Sequence, residues 1–163
     1  MTQQVYISDT NIWIDFRNAG LLNAMFGLPF TLCCTDFVLD ELNDFDHKHL
    51  RKRGLVVKTL DEQATAALFT AMRAHNNSSL ADVSCYQLAC QTGYALLTGD
   101  GRLRKQAKAD GLQVHGALWL LDQLVDYKVI KPKEAASGLQ SMLAAGARLP
   151  EAECQGRLAV WAV

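Results

Sequence analysis

Short β-rich apolar runs recur along this chain, each followed by turn residues and then by a stretch with helical spacing, and no other feature limits the fold more. The runs are Val5 to Ile7, Phe30 to Cys34, Leu55 to Val57, Ala95 to Leu97 and Leu112 to Val114. Between them, helical patterns cover 36–45, 62–75 and 80–92, and a basic segment ends at Gly111. Strands separated by helices pair in parallel through crossovers, because hairpins need short connections. The expectation is an α/β fold, a parallel sheet between helical layers. Helices at 117–127 and 133–145 finish the pattern, the second opening with Pro132 in its first turn.

With 163 residues and half the composition apolar, the chain suffices for one domain over 1–163, with a core of about 3–127 and a C-terminal helical extension of about 128–163. The start, Met-Thr-Gln-Gln, has no basic region followed by an apolar stretch. No apolar run approaches the ~18 residues of a membrane span, so a soluble, cytoplasmic protein with no membrane partner is expected. The five cysteines form no C-x-x-C pair and read as buried free thiols. A net charge of −1 supplies no global field for nucleic acid. Any such contact must be local or mediated by a metal.

Four acids stand apart once placed on these elements. Asp9 and Asp100 follow the ends of two expected strands, where ligands bind in open parallel sheets. On a helix over 36–45, Glu41 falls within the apolar face of Phe37, Val38, Leu42 and Phe45, and on the helix from Leu80, Asp82 lies opposite the polar stripe of Ser84, Gln87 and Gln91. Inward carboxylates are costly in the charged form, and a hard divalent cation, Mg2+ or Mn2+, compensates them while leaving water free for chemistry. The reaction class is then phosphodiester hydrolysis. Each acid also has a structural reading. Asp9 and Asp100 suit N-caps, Ser79-Leu-Ala-Asp82 has the form of a capping box, as does Thr59-Leu-Asp-Glu62, and Glu41 suits a buried ion pair.

These residues resemble the motifs of the PIN-domain ribonucleases, which include the VapC-like toxins of type II toxin-antitoxin systems. Ser8-Asp9-Thr10-Asn11 looks like the first motif, Val38-Leu-Asp-Glu41-Leu42 the second, Leu80-Ala-Asp82 the third, and Leu97-Thr98-Gly-Asp100-Gly-Arg-Leu103 the fourth. The resemblance implies an α/β/α sandwich, a magnesium or manganese ion held by Asp9, Glu41, Asp82 and Asp100, and single-stranded RNA as substrate, with structured RNA also a partner. It implies Asn11 and Thr98 as polar supports, a homodimer and, for toxins, inhibition by a small antitoxin. The segment from Lys131 onward lies beyond a minimal domain of this kind.

Two basic patches suit RNA phosphates: His47 to Arg53, with Arg51 and Lys52, and Arg102, Arg104, Lys105 and Lys108 beside Asp100. A solvated turn and a solvated helix face explain the same charges. His47-x-His49 has too few companions for zinc, Gly99-x-Gly101 lacks a third glycine, and aromatic residues do not interleave with basic ones. The rival readings are a catalytically silent PIN-like binding module and a phosphoacceptor domain built on Asp9. The latter is weakened because Asp9-Thr-Asn11 has no second carboxylate two residues on.

Overall fold

The computed structural model describes residues 4–74 and 78–163. Strand β1 (Val5–Ser8) leads into α1 (Thr10–Asn18) and α2 (Leu22–Met25), and β2 (Thr31–Thr35) into α3 (Asp36–Glu41) and α4 (His47–Arg53). Strand β3 (Val56–Lys58) leads into α5 (Glu62–Ala74) and α6 (Leu80–Thr92), and β4 (Ala95–Leu97) into α7 (Gly101–Ala109). Strand β5 (Val114–His115) is followed by α8 (Ala117–Asp126), α9 (Pro132–Ala144) and α10 (Glu151–Trp161). The five strands form one sheet in the order β3-β2-β1-β4-β5, and every pairing is parallel.

That order carries the functional geometry. The chain steps outward from β1 to β2 and β3, then returns to place β4 on the other side of β1, so the direction of winding reverses between β1 and β4. Right-handed crossovers then put the helices after β1 and β2 on one face and those after β3 and β4 on the other. Helix α6 accordingly packs on β1, β2 and β4, while α1 packs against α9 and α2 against α8. The result is the expected α/β/α sandwich. The centre of its sheet is apolar: Ile7, Leu32, Leu96 and Leu97 are enclosed, with Trp13 and Phe16 of α1 also buried.

Several local expectations are corrected. The helix read over 36–45 stops at Glu41, because Leu42 leaves helical backbone (φ −86, ψ 47). His47 Nε2 bonds the Leu42 carbonyl at 2.6 Å, and Asp46 then caps α4 by accepting from His49 N at 3.1 Å. The basic run is therefore a helix, anchored by buried Leu50 and ended by Gly54 at φ 125. Thr59 does not cap α5; Asp61 does, through Ala64 N at 2.7 Å. Cys90 is exposed, whereas the other four cysteines are buried free thiols.

The tail from 151 is helical as well. Arg157 grips Asp122 of α8 through two hydrogen bonds of 2.9 and 2.7 Å, and Cys154 and Trp161 are buried. Helix α9 passes so close to the end of α1 that a side chain at Gly138 would meet Leu21 at 2.7 Å. Among the described residues, no helix is long and apolar enough to cross a membrane.

Candidate active site

Asp9 is placed by β1 and kept in place by three donors. Its N–H bonds the Leu97 carbonyl of β4 at 3.0 Å, and its side chain is only 1% exposed. One oxygen, Oδ1, caps α1 by accepting from Ile12 N at 3.0 Å. The other, Oδ2, accepts from Thr98 Oγ1 at 2.7 Å and Gly99 N at 3.4 Å. Burial raises its pKa more than these donors lower it, and Asp100 adds to the rise. The cap reading of Asp9 holds through one oxygen, and the other is fixed by the end of β4.

Asp100 repeats the arrangement at the end of β4. Its Oδ1 caps α7 by accepting from Arg102 N at 3.0 Å and Leu103 N at 3.2 Å, and its Oδ2 accepts from Ser78 Oγ at 2.5 Å. The Asp100 N–H in turn donates to Thr98 Oγ1 at 3.1 Å. Thr98 therefore links two acids. Asn11, its expected companion, lies exposed in the first turn of α1, with no side-chain hydrogen bond among the described residues.

Asp82 is not the closing half of a capping box. Ser79 accepts from the Asp82 N–H at 3.0 Å, but the carboxylate does not reach back, and its Oδ1 is buried with no hydrogen-bond partner among the described residues. Its pKa is pushed up to about 7, first by burial and then by Asp9, Asp100 and Glu41. Asp9, Asp100 and Glu41 therefore lie close enough to Asp82 to oppose its charge. Two other buried atoms lack partners, Trp13 Nε1 in the core and Asp36 Oδ1 in the first turn of α3, where the helix dipole favours negative charge.

Glu41 departs from the expectation that it points into an apolar face. It is exposed, because α3 ends at this residue before another turn can bury it. Thr10 Oγ1 donates to its Oε1 at 2.6 Å, which brings it toward Asp9 from the solvent side. Thr10 and Ser78, which hold the carboxylates of Glu41 and Asp100, are not singled out by the sequence; Thr10 has a signal in its place next to Asp9, and Ser78 has none. Asp15 was missed too. Burial and then Asp9 raise its pKa to about 6, although helical spacing from Asp9 gave no hint of it.

The arrangement fits a cation. Asp82 has a buried oxygen with no hydrogen-bond donor among the described residues, and the stabilisation that Ser79 gives its ionised form is outweighed by burial and by three neighbouring carboxylates. Among the described residues, however, no three His, Cys, Asp or Glu side chains are gathered as a ready ion cage. Each of the other acids is turned to its own hydrogen-bond donor, as unscreened like charges would be.

The basic residues divide. Helix α7 starts at Asp100, so Arg102, Arg104 and Lys105 lie on the flank of the site, and Arg104 reaches the backbone of Gly116 beside Thr98. Arg51 and Lys52 do not lie there. They occupy the last turn of α4, which delivers the chain to the amino end of β3, and Arg53 bonds the Asn23 carbonyl just ahead of β2. His49 also bonds Asn23, at 2.8 Å. A crevice of ≈ 660 Å³ opens at that same far edge of the sheet, but its lining, including Gln4, Tyr94 and Gln113, holds no carboxylate.

The comparisons agree with this geometry. The PilT N-terminus domain protein of the hyperthermophilic archaeon Sulfolobus solfataricus superimposes with a TM-score of 0.53 over 75% of this chain and 94% of its own. At 14% identity the likeness concerns the fold alone. No curated protein matches the sequence. The profile of a family described as PIN domain matches residues 5–162, a span that includes β1 and β4, all four acids and the helices to α10. The chain belongs to the PIN-domain family.

Proposed function

We propose that this protein is a metal-dependent endoribonuclease that hydrolyses phosphodiester bonds of single-stranded RNA, and that it acts as the toxin of a toxin-antitoxin pair. The observation that carries the enzymatic reading is Asp82: its Oδ1 is buried without a hydrogen-bond partner among the described residues, and its proton affinity is raised first by burial and then by three neighbouring acids. Family membership supports a nuclease-type site. In this reading Asp9, Glu41, Asp82 and Asp100 hold Mg2+ or Mn2+. When bound, the ion lowers the pKa of a water and neutralises charge on the scissile phosphate.

The chain's own residues have distinct tasks. Thr98 and Gly99 fix Asp9, whose geometry is thereby set before any ligand arrives. Ser78 and the first turn of α7 fix Asp100. In this reading Glu41, the exposed acid, takes the proton that water gives up as its oxygen bonds to phosphorus and the ester P–O bond breaks, and the leaving oxygen takes a proton from solvent. The exposure of Glu41 and its bond from Thr10 support that role. Flanking cations on α7 bind phosphates, and neither a separate nucleophilic side chain nor an aspartyl phosphate on Asp9 is required.

The toxin role predicts a small antitoxin as partner and a homodimer in solution. Its cheapest check is whether the neighbouring reading frame encodes a small DNA-binding protein. One second reading, a catalytically silent PIN-like module that binds RNA or protein, is favoured by the absence of a ready ion cage among the described residues. The deciding experiment is Asp9→Asn, which keeps the cap on α1. Manganese-dependent cleavage of single-stranded RNA should disappear while the melting temperature stays near wild type. Cleavage unchanged in that variant would sink the enzymatic reading, and a wild-type protein that binds RNA without cutting it would favour the silent module.

A further inference from the structure

Hydrolysis by the acids leaves open how a strand is held in register over them, and the β5 edge of the sheet supplies the missing contacts. The His115 carbonyl accepts at 3.0 Å from the backbone N–H of Thr98, the residue whose hydroxyl steadies Asp9. The His115 ring lies flat on Trp119, with centroids 4.0 Å apart and planes 11° from parallel. Trp119 continues into Phe30 at 6.0 Å and 17°, and into Tyr6 at 5.2 Å. Both His115 and Trp119 keep part of their surface in solvent. The stack thus starts at the edge of the site, and the core behind holds it rigid.

A cation stands beside it. Gly116 has no side chain, and the guanidinium of Arg104 fills that space: an added Cβ would lie 2.6 Å from Arg104 Nη1 and 3.7 Å from the Thr98 carbonyl. Among the described residues no carboxylate pairs with Arg104. Burial lowers the pKa of His115, and Arg104 and Lys108 lower it further. Residues 104, 115 and 119 are interleaved with neither one another nor the acids in sequence; the β5 crossover brings them together.

We propose that Arg104, His115 and Trp119 form a subsite for one nucleotide next to the scissile bond, with Arg104 taking its phosphate and the His115–Trp119 stack its base. The subsite rests on the reading of the site as acting on single-stranded RNA. An unpaired base has a free face to stack, whereas a paired base does not, so the same contacts select single strands. Stacking tolerates every base, which gives affinity and register with weak sequence preference. Gly116 is the enabling residue, since any side chain there expels the guanidinium.

Binding of a short, mixed-sequence, fluorescein-labelled single-stranded RNA to the full chain, followed by anisotropy in EDTA, tests the subsite without cleavage. His115→Ala should weaken binding about tenfold, the loss of one stacked base, whereas His115→Phe should keep it. Arg104→Ala should weaken binding to a similar degree and flatten its salt dependence. Gly116→Ala should reproduce Arg104→Ala, because φ −124 at Gly116 is open to alanine and only the guanidinium must move. On a strand with abasic sites in place of its bases, the His115→Ala defect should vanish and the Arg104→Ala defect remain.

Wild-type affinity in both alanine variants, with melting temperatures unchanged, overturns the proposal, and so does loss of affinity in His115→Phe. Tighter binding and preferential cutting of a DNA strand of the same sequence overturns its RNA assignment. Binding as expected without manganese-dependent cleavage overturns the nuclease reading and leaves the subsite standing. Normal cleavage at unchanged KM in all the variants does the reverse.

Discussion

The hydroxyl of Thr98 donates to Asp9 Oδ2 at 2.7 Å, and through this bond the end of β4 sets the orientation of the acid at the end of β1. The same oxygen accepts the Asp100 N–H at 3.1 Å, so removing it strands a buried carboxylate and a backbone donor together. Thr98→Val keeps the shape and should cost about 1–3 kcal/mol of stability in a denaturant melt, with cleavage reduced at least tenfold. Thr98→Ser should restore most of both. A valine variant with full activity would show that Thr98 only fills space.

Asp82 is predicted to weaken the metal-free fold. Asp82→Asn removes a charge that burial and three acids oppose, so in EDTA the variant should melt a few degrees higher, on the order of 1 kcal/mol, while losing stabilisation by manganese and all cleavage. Thermal melts with and without Mn2+ read all three effects. A lower melting point in EDTA would contradict the repulsion inferred here.

The pH dependence of stability follows with a definite sign. In the folded chain the carboxyl pKa values of Asp9, Asp15 and Asp82 are raised, to about 6 for Asp15 and about 7 for Asp82, whereas in the unfolded chain they titrate near ~3.9. Between these values the folded state keeps protons that the unfolded state has released. Stability contributed by these groups is therefore full below about pH 4 and is lost as pH rises toward 7. Melting in EDTA across that range should show the decline, and manganese should raise the melting point more at pH 8 than at pH 5.

Glu41 depends on Thr10 for its place. Thr10→Val removes the 2.6 Å bond at a buried position but leaves Glu41 exposed. Turnover should fall roughly tenfold with RNA affinity in EDTA unchanged, since a hydrogen bond to a charged group contributes about 1.5–3 kcal/mol. Equal losses in binding and turnover would instead assign Thr10 to RNA contact.

The clamp at the far end of the chain is testable by hydrogen exchange. Arg157 and Asp122 form a two-pronged, partly exposed ion pair between α10 and α8. Arg157→Met should cost about 1 kcal/mol and speed exchange over 151–161 while leaving amides of β1 and β4 protected. Exchange accelerated throughout the sheet would mean that α10 is integral to the core.

How much of this was legible in the sequence follows from the range of each interaction. The ends of β1 and β4 were readable because a strand, a turn and a cap lie within a few residues of Asp9 and of Asp100. Asp82 was placed inward by helical spacing alone, and it is buried. Glu41 was misplaced because its helix was carried through Leu42, whose departure depends on a bond from His47 that no spacing rule contains. Helix α4 was hidden by having just one fully buried apolar residue, Leu50. The aromatic stack was invisible for a different reason: Tyr6, Phe30 and Trp119 meet only once β1 and β5 enter the same sheet.

Asp9 and Asp100 each divide their two oxygens between starting a helix and facing the other acids, and that division shapes how such a protein can age over evolutionary time. Alanine at either position would uncap a helix and, under the proposed nuclease function, silence the chemistry as well. Asparagine and serine keep the cap and discard only the charge. Under the proposed function, descendants that abandon catalysis yet retain this architecture should carry those two residues there.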